Sequence, residues 1–100
     1  MTTMIAIAGN ASQAIAHHNH EAEQAQRQAL AALGQYNAAQ LRLQSALARM
    51  DVVGAGQAEA EADAAWAEMR VCLDLSYRHR NSAAIAAGMA VCAPNLGGAV

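Results

Sequence analysis

One hundred residues carry a formal charge of −2, with 28 Ala, six Arg, no Lys and no Phe. The near-neutral balance and the lack of any basic run exclude a polyelectrolyte tail for nucleic acid and a basic helix for a membrane surface. No apolar run approaches the ~18 residues of a membrane span, and residues 1–9 lack the basic n-region of a Sec signal.

Residues 1–9 are a short apolar lead, Met4-Ile5-Ala6-Ile7-Ala8, whose alternation is too brief to define a strand. Asn10 then reads as an N-cap, with Gln13 completing a capping-box pattern. Helix 1 is expected over residues 10–50, about 60 Å if straight. Its organising feature is a seam stepping by threes and fours: Ile15, His18, Ala22, Ala25, Ala29, Ala32, Tyr36, Ala39, Leu43, Ala46 and Met50. Such spacing keeps one face of a helix turned to a partner helix. Gly34 marks a candidate kink, and Glu21, Glu23, Gln24, Gln26, Arg27, Gln28 and Gln44 form a solvated face.

Residues 51–56, with Gly54 and Gly56, read as the turn, because Gly takes the left-handed conformations that end a helix. Helix 2 is expected over 57–93 and repeats the seam: Ala58, Ala62, Ala65, Met69, Cys72, Ser76, His79, Ala83, Ala86 and Ala90. Asn81-Ser82 would cap a short third helix over 82–93. Pro94 is read as the stop, leaving 94–100 as a tail. The fold class is therefore all-α, an antiparallel hairpin of two long Ala-rich helices in a single domain. With a turn centred near residue 54, Tyr36 faces Cys72 and Ala29 faces His79.

Small side chains bury little area, and area removed from water is worth only ~25 cal/mol/Å². A lone hairpin would be thin in core, so assembly into an oligomeric helical bundle is expected. The larger residues Leu33, Tyr36, Leu43, Leu47, Trp66, Met69 and Leu73 flank the Ala seam and are the predicted interface. The expected partners are a second copy of the chain and another protein. The leading reading is a non-enzymatic adaptor, inhibitor or assembly subunit.

Two other groupings carry chemistry. Arg27, Tyr77, Arg78 and Arg80 would gather near mid-hairpin, where Arg forks and a Tyr ring suit a small anionic ligand such as a nucleotide. An Asp74–Arg78 pair on a solvated face explains part of the same stretch. His17, His18 and His20, expected near Cys92, are the metal candidates, since imidazole and thiolate ligate Zn²⁺. Adjacent helical positions let at most two of the three His share one ion. Cys72 and Cys92 lie twenty residues apart on one expected helix, ~30 Å, too far to bridge each other; both are read as reduced, and a cytoplasmic location is expected. No cofactor motif, nucleophile triad, phosphate loop or CxxC is present.

In size alone the hairpin resembles the small secreted WXG100 proteins and the small helical chaperones of secretion systems; small phage-borne counter-defence proteins are often helical oligomers too, but no motif ties this chain to one. The WXG turn is absent: Trp66 is followed by Ala67-Glu68, and the Gly pair is Gly54-Ala55-Gly56. No function is carried over from that size.

Overall fold

The computed structural model describes the backbone of residues 2–98 and side chains over 10–88. It has two α-helices, α1 (Thr2–Ala48) and α2 (Val52–Gly98), packed antiparallel as a hairpin, and no strand among the described residues. The chain divides into two compact units. The first comprises residues 1–24 and 75–100, the second residues 25–74.

The turn is where the structure departs most from the expected boundaries. It is three residues long and lies at Arg49-Met50-Asp51 rather than at 51–56. Met50 takes the left-handed conformation, φ 55°, and no glycine among the described residues has positive φ. Around it the Asp51 amide donates to the Ala46 carbonyl at 2.8 Å and the Met50 amide to the Leu47 carbonyl at 3.1 Å. These two bonds are the Schellman arrangement, which satisfies carbonyls left over at a helix end.

Asp51 immediately starts α2. Its Oδ1 accepts from the Gly54 amide at 2.9 Å, and its carbonyl accepts from the Ala55 amide at 2.9 Å. A carboxylate at the N-cap, reaching the third helical amide, is the usual solution for orphan donors. Asp51 therefore nucleates the helix well before residue 57, and Gly54 and Gly56 lie inside it. A turn centred near Met50 instead of Gly54 slides the facing partners by about two helical turns.

Other expected punctuation is overridden by helix propagation, which adds one backbone bond per residue ordered once a nucleus exists. α1 starts at Thr2, so Asn10 is interior rather than a cap. Gly34 falls within the unbroken span of α1. α2 is continuous through Asn81-Ser82, so there is no separate third helix. It also continues past Pro94 to Gly98. The φ of Pro is helix-compatible, and its missing N–H removes a single ladder bond close to the helix end.

Both units bury the Ala seam. In the second unit Ala25, Ala29, Ala32, Ala39 and Ala46 of α1 are buried, with Ala55, Ala58, Ala62, Ala65 and Cys72 of α2. Tyr36, Leu43 and Met69 are the half-buried members of that seam. In the first unit Ala11, Ala22, Ser76, Ala83 and Ala86 are buried, with Ile15, His18 and His79 half-buried. Met50, expected to close the α1 seam, lies in the turn and is exposed. No large side chain is fully buried among the described residues. The core is a zipper of methyl groups.

Candidate functional site

The second unit has two unlike edges, and the heptad positions of its residues explain why. With the seam at a and d, Leu33, Gln40 and Leu47 fall at e on α1, and Glu59, Trp66 and Leu73 at e on α2. Antiparallel packing sets e beside e and g beside g. The observed ion pair agrees, since Arg42 and Glu61 are both g residues and their side chains meet.

Apart from Glu59 near the turn, the e edge of this unit carries no charge, and Leu and Trp dominate it. Trp66 leans over Tyr36, ring centroids 5.1 Å apart and tilted by 50°, within the range of favourable aromatic pairs. Gln40 Nε2 donates to the Tyr36 hydroxyl at 2.7 Å, which fixes the ring that supports Trp66. Trp66 still exposes 44% of its surface, Leu73 49% and Leu47 62%. Leu33 is half-buried beside them, and Leu30 next to this edge is exposed. Of the seven predicted interface residues, Leu47, Trp66 and Leu73 are open to solvent, while Leu33, Tyr36, Leu43 and Met69 are half-buried.

The g edge is polar. Arg42, Arg49, Glu61, Ser45 and Gln57 line a depression of about 320 Å³ beside the turn. A second depression of about 300 Å³ is lined by Gln35, Arg42, Glu61 and Glu68. Arg42 and Glu61 are each more than half exposed, so their pair contributes at most about 1 kcal/mol. Cys72, a free buried thiol, lies against Gln28 Oε1 at 3.8 Å rather than against Tyr36, as the shifted turn requires.

In the first unit the helices are tied by polar groups. The Ser76 hydroxyl donates to the Ala22 carbonyl at 3.1 Å, a buried tether that leaves no unpaired oxygen. One turn further from the Ser76–Ala22 contact, His18 Nδ1 and His79 Nδ1 are 2.9 Å apart and share a hydrogen bond. The His17 ring stands 5.2 Å from that of His18 and 6.4 Å from that of His79. Three imidazoles from both helices thus meet, in place of the expected three His from one helix. His20 is exposed on α1, and the Cys92 side chain lies outside the described residues. Among the described residues no group of three His, Cys, Asp or Glu is arranged to hold a metal ion. His79 stands on the α2 seam expected from the sequence. Only the register, set by Asp51, brings it to His18.

Of the residues proposed for an anion, Arg27 belongs to the second unit and Tyr77, Arg78 and Arg80 to the first. All four are exposed. Arg80 lines a shallow depression of about 250 Å³ with Asn19, Ala22 and Glu23. The Glu23 carboxylate on that rim opposes a bound anion. No helix is long and apolar enough to cross a membrane among the described residues.

Comparison with protein-family models, curated proteins and solved structures gives no match.

Proposed function

We propose that this protein works through protein–protein contact, with a second copy of itself as the first partner, as a non-enzymatic adaptor, inhibitor or assembly subunit. The observation that carries this reading is the e edge of the second unit. There Leu47, Trp66 and Leu73 stay open beside a core made of Ala. Apolar area left in water beside a thin core is the stabilisation that association would recover. The edge suits a symmetric contact, because its Leu and Trp side chains meet their own copy without opposing like charges, Glu59 near the turn being the edge's one charge. Trp66 has the anchor's character: a large ring, braced by Tyr36, with its outer face free. The free thiol of Cys72 fits a reducing, cytoplasmic setting.

Light scattering after size exclusion tests the reading. The wild-type mass should be a multiple of 10.4 kDa, and Trp66→Ala should move the population toward the single-chain mass. A wild-type chain that stays at the single-chain mass at concentrations of about 100 µM, far above typical specific dissociation constants, overturns the proposal.

A further inference from the structure

We propose that His18 and His79 form a cross-helix chelate for one divalent late first-row metal ion, Cu²⁺ or Ni²⁺, in the first unit. The pair joins α1 to α2, with the two Nδ1 atoms 2.9 Å apart. An imidazole nitrogen sits about 2.0–2.1 Å from such an ion, so that separation subtends about 90° at the metal. A right angle relates neighbouring positions in square-planar and octahedral coordination, which Cu²⁺ and Ni²⁺ adopt, and imidazole suits both ions. A tetrahedral ion would need the nitrogens about 3.3–3.4 Å apart. The donor set differs from the His17, His18 and His20 group expected from sequence, because its second nitrogen comes from α2.

In the pair as it stands, one Nδ1 carries a hydrogen and donates it to the other. To take up the ion, that ring shifts its hydrogen to Nε2, and both Nδ1 lone pairs turn toward the metal. No proton is lost, and two metal–nitrogen bonds replace one hydrogen bond. Both rings are half-buried rather than sealed, and His17 beside them is exposed, so a hydrated ion reaches the pair. Among the described residues no third His, Cys, Asp or Glu completes a cluster, so water fills the remaining positions. By helical position the charged neighbours are Glu21 and Glu23 on α1 and Arg78 and Arg80 on α2, and their charges offset one another. The two imidazoles therefore decide the affinity. They stand 61 positions apart in the sequence, so the chelate exists only while the seam is closed. An ion bound only by the folded chain stabilises it.

The test adds Cu²⁺ or Ni²⁺ salts to the full chain, purified without a His tag, at pH 7.5. Calorimetry should show one ion per chain with half-saturation below about 0.1 mM. At ten times that concentration the thermal midpoint should rise by about 5–10 °C. His18→Gln and His79→Gln keep a polar side chain without the metal-binding nitrogen, and each should weaken binding at least about tenfold. His20→Gln, exposed on the same helix, should bind as wild type does. A measurement on the unaltered chain guards against variants that fail to fold: paramagnetic Cu²⁺ should broaden the ring signals of His18 and His79 before that of His20. Wild type with neither heat nor a midpoint shift at about 1 mM metal overturns the site. So does binding that survives His18→Gln, binding that His20→Gln removes equally, or broadening that begins at His20. None of these readouts depends on oligomer mass, so failure here and failure of the proposed self-association are separate results.

Discussion

Ala39→Leu puts the methyl zipper to its most direct test. Ala39 has no exposed surface, and it lies on α1 between two observed interhelix contacts, Tyr36–Trp66 and Arg42–Glu61. Those contacts bracket it against the stretch of α2 that contains buried Ala62 and Ala65. Leu adds three carbons there. If the helices were loosely packed, the added carbons would be buried without strain and would stabilise by about 2 kcal/mol at ~0.8 kcal/mol per methylene. If the seam is closed on Ala, the same atoms must push the helix axes apart, at a cost of about 1–3 kcal/mol. The two pictures differ in sign. We expect the second, seen as a midpoint lowered by about 4–8 °C per kcal/mol. Circular dichroism melts at one fixed protein concentration would measure it. Ala38→Leu, one residue along and exposed, is the control and should stay within about 0.5 kcal/mol of wild type. An Ala39→Leu variant as stable as wild type, or more stable, would refute close packing of the seam.

The turn gives two further expectations. Met50→Gly should stabilise by about 0.5–1 kcal/mol, since a side chain at φ 55° is strained and Gly is not; an unchanged or lower denaturant midpoint would place the left-handed residue elsewhere. Gly56→Ala meets nothing within 4 Å and should stabilise the exposed start of α2 by about 0.5–1 kcal/mol. A Cβ on Gly54 would instead press on the Asp51 carboxyl, 2.8 Å from its Cγ. Gly54→Ala should therefore gain less than Gly56→Ala in the same urea titration, and equal gains would show that Asp51 does not hold its cap.

Two long helices and their buried faces were legible from residue spacing. From Ala22 to Ala46 and from Ala58 to Ala86, every seam position read from the sequence is buried or half-buried. That follows because a period of 3.5 is a local property: each helix carries its own stripe whatever it meets. The flanking row at Leu33, Leu47, Trp66 and Leu73 was legible for the same reason. What a stripe of near-identical Ala does not encode is its alignment with another such stripe. Sliding one helix by a heptad puts Ala against Ala again, so the seams alone cannot choose among registers.

That choice fell to the turn. Gly54 and Gly56 suggest its centre through their conformational freedom, yet Asp51 caps α2 and leaves Met50 to reverse the chain. The signal was present as an acidic residue three positions before Gly54, in the spacing of an N-cap. Its weight against two glycines is a matter of tertiary energy, since helix started at Val52 can be packed against α1. The meeting of His18 with His79, the seating of Trp66 on Tyr36 and the separation of apolar and polar edges all descend from that placement. The amino-acid sequence by itself determined which faces of the two helices are buried, because periodicity is written residue by residue. The tertiary structure alone decided which residue meets which, because register is a relation between two chain segments fixed by a three-residue turn.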